Sequence, residues 1–184
     1  MRDIQLQAAN RYMLERYSIW TTHVVTLTLL DRKAGTKVID RGWAKGAINN
    51  YETELTEAKA RSSIRYFIEA LNYKLYKKKT RKNKTKQCCR IVALPILEGA
   101  TGNKRMHFHV LLGNLPAESL ENLEQTIQEV WAGTKWGMAR MDLKEIYDAD
   151  GIAHYLAKEV GFRNNEAVCW QEASIPGRLR GVWA

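Results

Sequence analysis

The sequence is poor in cysteine and proline, with only three residues of each among 184. Cys88 and Cys89 are adjacent and Cys169 lies far from them, which is neither a disulfide framework nor the spacing of a zinc ribbon. We therefore expect free thiols in a reducing compartment.

Long apolar runs are also missing. No run approaches the roughly 18 residues that a membrane-spanning helix needs, and residues 1–20 lack the continuous apolar region of a signal peptide. These absences predict a cytoplasmic protein with no membrane partner. The composition that is present, 45% hydrophobic and 27% charged, suits one globular domain with a sizeable core.

Acidic residues are absent from one segment, residues 74–86, which carries eight of the basic residues. The net charge is +9, so the remainder of the chain has a charge of only +1. The basic residues of this tract are Lys74, Lys77, Lys78, Lys79, Arg81, Lys82, Lys84 and Lys86. The tract indicates a polyanionic partner such as nucleic acid. The alternative is a solvated segment that is favourably placed at a helix C-terminus.

Hydrophobic periodicity predicts an α+β fold, with helices packed on a central antiparallel sheet of about five strands. The predicted elements are a helix or arm at 1–17, a strand at 19–30, a loop or short hairpin at 31–50, a helix at about 53–78, strands at 90–98 and 106–112, a helix at 114–131, a strand at 137–143 and a helix from about 148 to 161. Strands 90–98 and 106–112 should form a hairpin, and Pro95 favours an edge position or a bulge.

Two histidines, His107 and His109, flank Phe108 in the second strand of that hairpin. Side chains alternate along a strand, so both imidazoles should lie on one face, about 7 Å apart, with Phe108 in the core. The hairpin turn can bring Glu98 beside them. Two imidazoles and a carboxylate suit Mg²⁺ or Mn²⁺, although the ligand types do not exclude Zn²⁺ or Fe²⁺.

The last predicted helix carries Tyr155 and Lys158, which are three residues apart and share one side of the helix. Beside a metal-bound phosphate, a tyrosine could attack phosphorus and form a phosphotyrosine. Alternatively, Tyr155 is an interfacial aromatic residue with its hydroxyl in water.

Three segments together resemble the HUH endonuclease superfamily, in particular rolling-circle replication initiators with one catalytic tyrosine. Residues 24–29, an apolar strand with alternating threonines, resemble the first motif of that family. His107-Phe108-His109 matches the motif that names the family, Glu98 lies where a third ligand is common, and Tyr155 with Lys158 resembles the third motif. The resemblance covers roughly residues 19–162.

The resemblance implies a ferredoxin-like or RRM-like palm and a metal-dependent endonuclease that nicks and rejoins single-stranded DNA at a replication origin. Tyr155 would form the covalent 5′ link, Lys158 would orient the phosphate, and Glu98, His107 and His109 would hold the ion. Thr26 and Thr28 would support the sheet floor and contact DNA, although a purely structural role fits them equally well.

The chain would then comprise an arm at 1–18, the endonuclease domain at 19–162 with tract 74–86 as a DNA-binding insertion, and a tail at 163–184. It contains no phosphate-binding loop of an NTPase, so a separate helicase would unwind the strand. A monomer and a dimer fit the sequence equally. The alternatives are a transposase of the same superfamily and a non-catalytic nucleic-acid-binding module.

Overall fold

The computed structural model describes residues 2–39, 47–76, 90–100, 104–148, 151–152, 155–156 and 167–176. The described elements are α1 (Arg2–Ser18), β1 (His23–Leu29), β2 (Arg32–Ile39), β3 (Ala47–Glu54), α2 (Glu57–Tyr76), β4 (Val92–Glu98), β5 (His107–Gly113), a 3₁₀ turn (Ala117–Ser119), α3 (Leu123–Ala132) and β6 (Gly137–Glu145). Gly151, Ile152, Tyr155 and Leu156 have helical backbone. None of the helices in these ranges has the length and apolar content needed to span a membrane.

The main sheet is antiparallel, with the strand order β4-β5-β1-β6. Strands β2 and β3 form a separate two-stranded sheet. The predicted α+β class is therefore confirmed, although the main sheet has four strands rather than about five. The hairpin of β4 and β5 is confirmed too, and β4, which contains Pro95, lies at an edge of the sheet as the proline predicted.

Strict alternation along the strands gives the sheet two different faces. One face packs against α2 and α3, and it includes Leu27, Leu97 and Phe108, all almost fully buried. The other face packs partly against α1 through Leu94, Ile96 and Leu111. The remaining part of this second face carries Thr26, Thr28, Glu98, His107 and His109.

Helix α2 is held in place by its start signal and by its apolar stripe. The Oγ1 atom of Thr56 accepts a hydrogen bond from the backbone N–H of Lys59 at 3.4 Å, which caps one of the free N–H groups of the first turn. Ile64, Phe67 and Leu71 recur at spacings of three and four and are fully buried. The helix thus covers one face of the sheet.

Residues 167–176 lie along the outer edge of β4. The backbone bonds there are Leu97 N–H to Ala167 O at 2.8 Å, Cys169 N–H to Pro95 O at 2.9 Å, and reciprocal bonds of 2.9 Å between Ala93 and Ser174. Part of the region expected to be irregular, 163–184, is therefore ordered against the sheet. The predicted limits of the arm, the domain and the tail stay a prediction.

Candidate metal centre

The β4–β5 hairpin places three predicted ligands together. Glu98 is paired directly with His107, and His109 lies two residues further along β5 on the same face. One nitrogen from each histidine and one carboxylate oxygen lie within 4.8 Å of one another. The predicted convergence of these residues is therefore present in the structure, and the site is partly shielded from solvent.

The two imidazoles approach the same carboxylate oxygen. The Nε2 atoms of His107 and His109 lie 3.1 Å and 3.3 Å from Oε2 of Glu98. The exposed fractions of the three side chains are 21% for His107, 13% for His109 and 11% for Glu98. At this degree of burial, water only partly screens the interactions among these groups.

The other ring nitrogen of each histidine also has a neighbour. Nδ1 of His107 lies 3.0 Å from the backbone oxygen of Arg105, which only accepts hydrogen bonds, so this nitrogen carries a proton and donates. Nδ1 of His109 lies 3.2 Å from Oγ1 of Thr26. When Nδ1 donates in both neutral rings, both Nε2 lone pairs face the Glu98 carboxylate. Three acceptor atoms this close require a proton or a cation between them.

Glu98 remains ionised in this setting. Burial raises the pKa of its carboxyl group, but a hydrogen bond from Lys104 and the positive charge that His107 can carry outweigh burial, so the net pKa is lowered. Nζ of Lys104 lies 2.9 Å from Oε1. Oε1 therefore faces the lysine, and Oε2 faces the two histidines.

The separations between these atoms suit a divalent ion. Adjacent ligands of an octahedral ion with bonds of about 2.1 Å lie about 3 Å apart, and ligands of a tetrahedral zinc lie about 3.3 Å apart. The measured values of 3.1 Å and 3.3 Å fall in this range. The two nitrogen–oxygen separations therefore suit a metal bound by Glu98, His107 and His109, and they do not choose one ion.

Tyr155 lies beside this cluster. Its ring centroid is 6.4 Å from that of His109, with the rings nearly perpendicular, and its side chain is 53% exposed. Lys158, the predicted partner of Tyr155, lies outside the described residues. The structure thus brings one of the two predicted helix residues beside the Glu98, His107 and His109 cluster.

A cavity of about 500 Å³ opens next to His107. Its lining includes Thr26 and Thr28, as well as Lys104, Arg105 and Arg140, which were not among the predicted site residues. Arg105 pairs with Asp31 at 2.9 Å. The adjacent basic pair Lys104-Arg105 in the hairpin turn could have indicated these residues, whereas Arg140 comes from β6 and gave no local signal.

Lys74 does not belong to this site. It forms an ion pair with Glu129 and so joins α2 to α3. The remaining basic residues predicted to bind DNA lie outside the described residues: Lys77, Lys78, Lys79, Arg81, Lys82, Lys84 and Lys86.

Comparison with known families gives a match over most of the chain. The model of the family described as the D subunit of cellulose synthase matches residues 51–184, which is more than two thirds of the chain. No curated protein and no solved structure matches the chain. The matched region contains Glu98, both site histidines and Tyr155.

This match overturns the interpretation as an HUH replication initiator, because the cellulose synthase D subunits are a different family. The expected enzyme, a single-stranded DNA endonuclease acting at an origin, is therefore wrong, and the match gives no better support to the transposase or the nucleic-acid-binding module. The motifs misled for a physical reason. In any antiparallel hairpin, two residues that are two positions apart on one strand lie on the same face as a residue of the partner strand opposite them. The cluster of His107, His109 and Glu98 therefore defines a geometry but does not identify a substrate.

The expected partners are corrected with the function. Single-stranded DNA and a separate helicase were inferred from the resemblance and from the basic tract, and a family of cellulose synthase subunits supports neither. Since the family model extends over most of the chain, the chain belongs to the family of cellulose synthase D subunits.

Proposed function

We propose that this protein acts as a subunit of a cellulose synthase assembly and binds one divalent cation, Mg²⁺ or Mn²⁺, through Glu98, His107 and His109. The family match over residues 51–184 supports the first part. The convergence of two Nε2 atoms on one carboxylate oxygen supports the second. That convergence is the observation on which the metal site depends.

An ion held by three protein ligands keeps positions open for oxygen atoms from outside. The neighbouring cavity, with Lys104, Arg105 and Arg140 in its wall, offers access to these positions. When bound, the metal would act as a Lewis acid toward such an oxygen. Lys104, Arg105 and Arg140 outnumber Asp142, the carboxylate in the same lining, and would attract an oxygen-rich, negatively charged ligand to this place.

We assign Tyr155 a contact at the rim of this site. Its half-exposed ring next to His109 can shield one side of the cluster while its hydroxyl stays in water. Lys158 follows Tyr155 by three residues in the sequence. In this proposal both residues help to position a ligand of the metal.

We propose a cytoplasmic location for the protein. Cys169 is a buried free thiol, as expected in a reducing compartment. Cell fractionation with immunodetection tests this location, and recovery of the native protein from an oxidising compartment would contradict it.

Titration with Mn²⁺, followed by the electron paramagnetic resonance signal of free Mn²⁺, tests the metal site directly. We expect one ion per chain for the native protein and at least a tenfold loss of affinity for His109→Ala, which removes one of three ligands, and for Glu98→Gln, which removes the negative charge of another. His23→Ala is the matched control, because His23 lies at the start of β1 and contacts Thr22. Equal loss in the control variant, or no binding by the native protein, would refute the site.

Affinity purification from the native host tests the assembly. A tagged chain should recover cellulose synthase, and deletion of the coding sequence should lower cellulose output. A normal cellulose yield together with no recovered synthase would contradict the assignment. The metal site can fail while the assembly assignment holds, because the two experiments measure different properties.

A further inference from the structure

A second cavity lies on the helix-covered side of the molecule, away from the metal centre. It has a volume of about 340 Å³, and it lies between α2 and the segment that joins α3 to β6. Its lining residues are Lys59, Ser62, Ser63, Tyr66, Gly133, Lys135 and Trp136. The position of this cavity makes it independent of Glu98, His107 and His109.

The lining includes several hydrogen-bond donors and carries positive charge. Lys59 and Lys135 provide two ammonium groups, and no carboxylate is among the described residues that line the cavity. A third lysine is near, since Nζ of Lys33 donates to the backbone oxygen of Lys135 at 3.2 Å. Charge of one sign in a partly enclosed space attracts a ligand of the opposite sign.

One of the ammonium groups is held in a defined position. Nζ of Lys59 donates to the backbone oxygen of Glu54 at 2.6 Å and lies 5.4 Å from the ring centroid of Trp136. Lysine has three N–H donors, so further donors remain for a ligand. The ammonium group is thus pre-positioned at the wall of the cavity.

Two further residues with donor groups line the cavity. They are Ser63, with a hydroxyl group, and Trp136, with an indole N–H, and the two residues are only 5% and 2% exposed. A ligand rich in acceptor atoms would take hydrogen bonds from such groups.

From these observations we infer that this cavity binds a phosphate monoester carried on a ring, such as a sugar phosphate or a nucleoside monophosphate. The phosphate takes the donors of Lys59, Lys135 and Ser63. Tyr66, whose side chain is 61% exposed at the rim, stacks on the ring of the ligand. The cavity lies at the lower end of the volume range of small-molecule sites and exceeds what a bare phosphate fills.

Chemical-shift titration of the full chain tests this inference with five probes. Glucose 1-phosphate and adenosine monophosphate represent the two sources of the ester, glucose and adenosine lack the phosphate, and inorganic phosphate lacks the ring. We expect saturable shifts at Ser63 and Trp136 with at least one ester, weaker binding of inorganic phosphate, and none with the unphosphorylated compounds. No saturation with either ester, or equal affinity for inorganic phosphate, would overturn the inference.

Two variants locate the binding. Lys135→Gln removes an exposed ammonium group without touching the core, and it should weaken ester binding about tenfold, as expected for loss of a charged hydrogen bond. Lys144→Gln is the matched control, since Lys144 lies on β6 and pairs with Asp142 at 2.8 Å. Native-like affinity in Lys135→Gln would show that the ester binds at another site. An equal loss of affinity in Lys144→Gln would show that binding depends on overall charge. Either result would overturn the inference.

Discussion

Phe108 and His109 are neighbours in the chain and lie on opposite faces of one sheet. Phe108 is fully buried on the helix-covered face, in the core cluster that also contains Phe67 and Trp131, and its ring centroid lies 6.4 Å from that of Trp131. His109 contacts Glu98 and Thr26 on the other face. The comparison shows that a single strand supplies both the core and a polar site, so substitutions one residue apart should affect different properties.

The largest expected effect is a loss of stability caused by a substitution on the helix-covered face. Phe108→Ala should lower the free energy of unfolding by about 3–5 kcal/mol, because it removes a buried aromatic ring and leaves a cavity. Denaturant unfolding measures this value. His109→Ala should cost under about 1 kcal/mol in the same assay, because its ring is not part of the close-packed core. Equal losses in the two variants would mean that the faces do not differ as described.

The next largest effect on stability is expected at Glu172, through which residues 167–176 contact helix α2. The Glu172 side chain is only 3% exposed and lies 3.4 Å from Arg61 and 3.1 Å from Arg65. Glu172→Ala should lower stability by about 2 kcal/mol, since it leaves the partly buried Arg61 without this carboxylate. Glu69→Ala is the control, because the Glu69–Arg90 pair is largely exposed and should contribute under about 1 kcal/mol. Similar unfolding free energies for both variants would argue against a structural role of Glu172.

A smaller effect, on metal affinity, is expected for a substitution on the face that carries His109. Thr26→Val keeps the shape of the side chain but removes the hydroxyl that contacts Nδ1 of His109. If the metal site is correct, Mn²⁺ affinity should fall about tenfold, as for loss of a group that orients a ligand, while thermal stability changes little. Thr28→Val, which has no such contact with His109, serves as the control. Unchanged affinity in Thr26→Val would show that the hydroxyl does not orient the imidazole.

The smallest effect concerns the chemical reactivity of Cys169, which lies in the core on the helix-covered face. Burial, only partly offset by the charge of Arg61, raises the pKa of its thiol to about 12. Little thiolate should therefore form at pH 8, and iodoacetamide should leave Cys169 unmodified in the native protein but alkylate it in urea. Peptide mass mapping distinguishes Cys169 from Cys88 and Cys89. Rapid alkylation under native conditions would show that this part of the core opens readily.

Local patterns predicted the part of the site that depends on one hairpin. Alternation fixed the side of Phe108 relative to His107 and His109, and the turn between β4 and β5 set Glu98 opposite His107. Contacts between distant segments could not be predicted in this way. Arg140 reaches the cavity from β6, and residues 167–176 pair with β4 across about 75 positions of sequence, for which no local periodicity gives a signal.

The two-stranded sheet shows a similar limit. Residues 31–50 contain three glycines and were interpreted as a loop with or without a short hairpin, whereas β2 and β3 pair over eight residues each. Glycine weakens an isolated strand prediction, but pairing with a partner strand can override that preference. Function was the least predictable property, because short motifs describe a geometry while the family follows from similarity over most of the chain.

The position of residues 167–176 also determines how the sheet can meet other proteins. An open sheet edge is a template on which a foreign strand can add. The outer edge of β4 is already bonded internally through Ala93, Pro95 and Leu97. Within the described residues, the opposite edge of this four-stranded sheet is β6, where the side chains of Arg140, Asp142 and Lys144 would select an added strand for charge as well as for shape.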